Sequence, residues 1–264
     1  PRLIPASDAD IGNGLAWSLG ERGIKIHTSS KLVKVTPAGG DEVVCHVEGP
    51  GGAFQVTVDK VLVAVGRRPN VEGLRLDAVG VRYSPKGIVV DERMRTSVPG
   101  IYAIGDAAGG MMLAHVASHQ GIVAVENALG ASRTMSYKAV PGCIFSTPEV
   151  ATVGLSEEAA RAAGYAVRIG KFALANNGKA LAAGDTDGFI KVVADEKHDE
   201  ILGVHIVGPH ASDLINEATL ALNLEATIEE LETTIHPHPT LGEAIPEAAL
   251  AALGRALGLP MKTA

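Results

Sequence analysis

Hydrophobic and polar positions alternate with two different periods along this chain, and the changes of period mark its organisation. Over residues 9–22, Ile11, Leu15 and Leu19 fall on one face at helical spacing, with Gly23 as a stop. A short strand is expected at 24–26. The β-like runs 31–36, 42–48 and 53–58 are separated by Gly39-Gly40 and by the Gly-rich segment 49–52, which predicts a meander of hairpins. Residues 60–65 form a continuous apolar run that reads as a buried strand, ending in Gly66-Arg67-Arg68-Pro69-Asn70. Beyond Val71, short strands are expected at 87–90 and 101–104, and a long apolar helix from about Leu113 to Leu129.

From about Ala139 the pattern alternates helices and strands. Ser156 is placed to cap a helix over 157–163, with Glu157 and Glu158 in its first turn and Gly164 just past its end. The apolar runs 189–194 and 201–207 bracket a polar turn and predict an antiparallel hairpin. A helix follows over 212–224, then the capping box Thr227-Ile-Glu-Glu230, then a last helix over about 242–257.

Composition narrows the functional classes. The 9 aromatic residues leave little surface for stacking on single-stranded nucleic acid. The net charge of −7, with no basic run, argues against nucleic acid and anionic membranes. No apolar run reaches the length of a membrane span. Residue 1 is Pro, and PRLIPASDADIG carries no start signal, so the chain is expected to begin inside a longer protein. Cys45 and Cys143 stand too far apart for a disulfide framework and read as reduced thiols of a cytoplasmic protein.

Three segments carry candidate chemistry. In Thr96-Ser-Val-Pro-Gly-Ile-Tyr-Ala-Ile-Gly-Asp106 an apolar strand ends in Gly-Asp, and a helix starts soon after. Asp106 can accept hydrogen bonds from a polyol, the small residues 107–110 permit close approach to a flat ring, and the helix start at Met112–His115 offers N–H groups and a positive dipole end. Val63-Ala-Val-Gly66 places a glycine at a strand end, where a ligand can come close to the backbone. In His236-Pro-His238-Pro-Thr-Leu-Gly-Glu243, an imidazole followed five residues later by a carboxylate can form a general-base pair.

Together these segments resemble the FAD-dependent pyridine nucleotide-disulfide oxidoreductases over essentially the whole chain. The His-Pro-Thr-x-x-Glu segment, followed by Ala244 rather than a second Glu and by an Ala-Leu-Ala-Ala run, resembles the dihydrolipoamide dehydrogenase branch. The resemblance implies an α/β chain made of remnants of nicotinamide- and FAD-binding Rossmann-like domains plus a C-terminal α+β interface (dimerisation) domain. It divides the chain into 1–70, the end of the NAD-binding domain; 71–138, the returning part of the FAD-binding domain; and 139–264, the interface domain. It implies His238 as catalytic base and Glu243 as its carboxylate. It also implies Asp106, Met112, Leu113, Ala114 and His115 as FAD contacts, and Gly66 and Leu32 as NAD contacts. Cys143 has no redox role in it.

The implied activity is oxidation of dihydrolipoamide with NAD⁺ by a homodimer. The implied partner is the lipoyl group of 2-oxo acid dehydrogenase complexes or of the glycine cleavage system. These 264 residues hold no Cys-x4-Cys pair and no complete Gly-x-Gly-x-x-Gly, so the chain alone is expected to be inactive. A non-catalytic dimerisation module and a glutathione reductase-like enzyme are the alternatives. Three sharper readings are set aside. Gly12-Asn-Gly14 follows no apolar strand, so it is no dinucleotide loop. His115 and His119 lack the Glu of a zinc protease motif. His236 and His238 have no third metal ligand.

Overall fold

The computed structural model describes residues 1–259. The chain divides into two compact units, one formed by 1–61 with 138–264 and the other by 62–137.

The first unit opens with helix α1 (Ala9–Glu21), capped by Asp8, which accepts from the Asp10 amide at 3.0 Å. Strands β1 (Lys31–Gly39), β2 (Glu42–Gly49) and β3 (Gly52–Val58) then form the expected antiparallel meander. Residues 24–26 are not a strand; Ile24 is exposed and pairs with no neighbour strand among the described residues.

In the second unit α2 (Leu76–Val79) precedes the two-residue strands β4 (Tyr83–Ser84) and β5 (Gly87–Ile88), and α3 spans Ala114–Ala128. Two expected strands are corrected here. Residues 60–65 are irregular, with Leu62 and Val65 about nine-tenths exposed. Residues 101–104 make a single bridge, Tyr102 to Arg95. A continuous apolar run is the mark of a strand flanked on both sides. Among the described residues neither segment has such flanking strands.

The rest of the first unit is built on a five-stranded antiparallel sheet of order β6-β7-β10-β9-β8. Its strands are β6 (Gly142–Ile144), β7 (Glu149–Gly154), β8 (Val167–Ala173), β9 (Phe189–Asp195) and β10 (Ile201–Gly208). Along the chain α4 (Glu157–Ala162) follows β7, α5 (Gly178–Ala183) follows β8, and α6 (Ala211–Asn223), α7 (Ile228–Thr233) and α8 (Ala244–Ala252) follow β10. Ser156 caps α4, and the Thr227–Glu230 capping box closes at α7, both as expected. The last helix is shorter than expected, because Gly254 follows it at φ +69°, a conformation that ends helices. β9 and β10 are buried along their whole length. Ile190, Val192, Val204 and Ile206 meet Ile215, Ala218, Ile245 and Ala248 of α6 and α8 in one core.

The other side of this sheet receives α1 through Ile11 and Leu15, packed with Val150, Phe189 and Val207. Gly12 and Gly14 make this docking possible. A Cβ on Gly12 would lie 2.6 Å from the Leu3 carbonyl oxygen, and one on Gly14 would lie 2.8 Å from the Phe189 ring. These glycines therefore serve packing. A buried ammonium fixes the same junction: Lys191 Nζ lies 3.0 Å from Asp8, 3.0 Å from Asp10 and 2.9 Å from Glu157. Burial pushes the Lys191 ammonium down, but the three carboxylates outweigh it and hold it above the ordinary lysine range.

Candidate functional site

The loop between α7 and α8 carries both candidate histidines, and it treats them differently. His236 is nearly buried. Its Nδ1 faces the Thr234 carbonyl at 2.8 Å and its Nε2 faces the Glu217 carboxylate of α6 at 2.8 Å. Both ring nitrogens are thus engaged with oxygen acceptors. His238 is exposed, and its Nδ1 lies 2.8 Å from Glu243 Oε1. An ionised carboxylate only accepts, so Nδ1 carries the hydrogen, and in the neutral ring Nε2 is then the nitrogen with the lone pair.

The Thr240 amide holds the carboxylate in turn, donating to Glu243 Oε2 at 2.8 Å, while Thr240 Oγ1 donates to the Pro237 carbonyl at 2.7 Å. The Thr240 amide, followed by His238, holds the Glu243 carboxyl below the ordinary range; burial opposes this shift. Beside the loop lies an open cavity of about 340 Å³ whose walls include Phe172, Asn177, Glu232, His236, His238 and Glu243. An imidazole with a fixed tautomer, a carboxylate behind it and an exposed second nitrogen can take up a proton from a group entering such a cavity.

In the 62–137 unit, Asp106 sits in a 3₁₀ turn, Gly105–Ala108, not at the end of a paired strand. Its carboxylate receives Arg67 Nη2 at 2.6 Å. Sequence reasoning missed Gln120, which is buried, accepts from the Gly105 amide at 2.7 Å and donates to the Tyr137 hydroxyl at 2.8 Å, fixing the turn. Met112 and Leu113 precede α3, and Ala114 and His115 open it. Leu113, at the N-cap, makes no side-chain cap, and the first turn holds no acidic residue.

The glycines after Asp106 divide. A Cβ on Gly109 would lie 1.9 Å from the Lys86 carbonyl oxygen, so that glycine serves close packing within the chain, whereas Gly110 borders open space. An acceptor carboxylate, an open glycine and an uncapped helix start are a donor and acceptor set that fits the polyol and the electron-rich edge of a flavin. Gly66 adopts φ +108° with open space about it, and Leu32 is partly exposed on β1; the two belong to different compact units.

Neither cysteine is bonded. Burial, with Glu149 and Asp213 nearby, pushes the Cys143 thiol up, which leaves it protonated and a poor nucleophile at neutral pH. No described helix is long and apolar enough to cross a membrane.

Comparisons with known proteins match both the first 121 residues and the α+β part built on the five-stranded sheet. A model of the pyridine nucleotide-disulphide oxidoreductases matches residues 1–121, and a model of their dimerisation domain matches residues 140–249. The chain belongs to the pyridine nucleotide-disulphide oxidoreductase family. It is 45% identical over 258 residues to a dihydrolipoyl dehydrogenase of Bacillus subtilis, covering 97% of this chain and 54% of that protein. It is 46% identical over 251 residues to one of Thermus scotoductus, covering 94% and 54%. The crystal structure of LpdA from Mycobacterium tuberculosis superposes with a TM-score of 0.83 at 32% identity, covering 93% of this chain and 53% of that one. The chain therefore spans about half the length of the relatives it matches.

Proposed function

We propose that this chain is the C-terminal portion of a flavoprotein that oxidises dihydrolipoamide to lipoamide with NAD⁺, and that His238 and Glu243 are its base pair. The observation that carries this reading is the contrast within one loop. His236 has both nitrogens engaged, whereas His238 is backed by a carboxylate on one nitrogen and open on the other. His238 Nε2 takes the proton of a substrate thiol, so that the thiolate forms at the point of attack. Glu243 keeps the ring in the tautomer that can accept and stabilises the charge that develops. Bound FAD and NAD would supply the hydride transfer that follows. Asp106, Gly110 and the residue 112–115 helix start would hold the flavin, and Gly66, with its open backbone, would let a nicotinamide come close. The lipoamide substrate is supported by Ala244 after Glu243 and by the relatives' shared activity.

The partner is a lipoyl group carried by a 2-oxo acid dehydrogenase complex or by the glycine cleavage system, in a cytoplasmic setting that suits two unpaired thiols. The working unit is a homodimer. Phe145, Leu224 and Ile235 expose large apolar side chains on the segment matched by the dimerisation model, as expected of a surface made for a second copy. The 264 residues alone, lacking a Cys-x4-Cys pair, do not turn over.

The test is a pair of substitutions in the complete protein. His238→Gln lowers kcat by about 10²-fold or more, the scale of a lost general base, with flavin absorbance unchanged. His236→Gln is expected to cost far less. A damaging His236→Gln beside a harmless His238→Gln overturns the assignment.

A further inference from the structure

The His238–Glu243 pair is held through Thr240, and Thr240 is held from outside its own loop. Asn177 lies between β8 and α5 and is 4% exposed. Its Nδ2 donates to the Thr240 carbonyl at 3.0 Å, and its Oδ1 accepts from the Ala180 amide at 3.0 Å as the N-cap of α5. The orientation of this side-chain amide follows from its partners. An N–H can face only the oxygen end, and a carbonyl can face only the nitrogen end. Its backbone is anchored as well, with the Asn177 amide donating to the Leu174 carbonyl at 2.9 Å beside a fully buried Leu174 side chain.

We propose that Asn177 is a positioning residue for the His238–Glu243 pair, an inference that rests on the reading of that pair as the base. The connection is continuous. Asn177 fixes the Thr240 carbonyl, the Thr240 amide fixes one oxygen of Glu243, and the other oxygen fixes His238 Nδ1. The Thr240 side chain reaches only within the loop, to Pro237, so the bond from Asn177 adds a hold on this residue from outside the loop. Asn177 thus ties the reacting loop to the segment that leaves β8, whose Leu174 is fully buried in the core. The hydrogen bonds of Asn177 go to Thr240 and Ala180, so its effect on the tautomer and the aim of the imidazole runs through Thr240 and Glu243.

Two substitutions separate the tie from the cap. Asn177→Asp and Asn177→Ser both keep an oxygen suited to capping α5 but remove the N–H that holds Thr240, and the Ser variant adds no charge. Imidazole nitrogen spectra of the 264-residue chain read the tautomer of each histidine directly, with no need for turnover. The unsubstituted chain is expected to show neutral His238 protonated on Nδ1. In both variants His238 is expected to shift toward the Nε2-protonated form while the His236 signals stay in place. In the complete protein, kcat should fall by roughly 10-fold with KM unchanged, below the 10²-fold that a larger misplacement can cost.

An unaltered His238 tautomer in either folded variant overturns the proposal. Unfolding of both variants overturns it too, since Asn177 would then hold the fold and not the loop. Failure of the base-pair reading shows separately, as normal turnover of His238→Gln.

Discussion

The five-stranded sheet with its helices and the 62–137 unit both hold apolar runs, yet the second pairs strands of only two residues, β4 and β5. β9 and β10 are flanked on both sides and buried from end to end. Residues 60–65, just as apolar, have no strand beside them among the described residues and expose Leu62, Val63 and Val65. The 62–137 unit retains only small apolar clusters, around Val81, Ile88 and Ala103 and around Met94 and Val123. A strand is a property of a pair. Apolar sequence supplies half of it, and the neighbour supplies the rest.

The strongest way to break this comparison is to attack the sheet where it holds α1. Lys191→Met removes the ammonium shared by Asp8, Asp10 and Glu157 and leaves Asp8 buried without its partner. The loss should be about 3 kcal/mol, the low end for a broken buried pair, because Asp10 and Glu157 reach solvent. Urea unfolding of the 264-residue chain measures it; a loss under about 1 kcal/mol would place the anchoring of α1 elsewhere.

The same cluster sets an acid limit. Burial pushes the Asp8 carboxyl up, but the Glu157 amide and Lys191 bring it below its ordinary 3.8; hydrogen bonding from Lys191 lowers Glu157 below 4.5. Such groups stabilise fully above their ordinary values, and the stabilisation is lost as pH falls through the lower folded values. Stability should therefore hold to about pH 4.5 and decline below it, with a shallower decline in Lys191→Met. At the other end of the scale, Val65→Ser should change stability by less than about 0.5 kcal/mol, because the side chain is already exposed. A cost several times larger would mean that 60–65 is packed in solution.

The sequence was most legible where local chemistry decides structure. Ser156 and the Thr227–Glu230 box cap their helices, and the Gly-rich breaks at 39–40 and 49–52 turn the meander, because each signal and its effect lie within a few residues. The His238–Glu243 contact was legible for the same reason, being local along the chain. Asn177, Glu217 and Gln120 were not. Asn177 caps α5 locally, but its second bond, to Thr240, spans 63 positions. Glu217 meets His236 only in the fold, 19 positions away along the chain. Gly12 and Gly14 are set aside as a dinucleotide loop for want of a preceding strand, and the approach of Leu3 and Phe189 gives the reason they are glycines.

Hydrogen exchange along the 264-residue chain tests the contrast between the two regions most directly. The amides of β7, β9 and β10 should exchange last, at rates set by global unfolding, while those of residues 60–65 exchange as fast as unprotected peptide. Protection of residues 60–65 equal to that of β9 and β10 would contradict the account, because it would mean that this apolar run finds its strand partners within these residues after all.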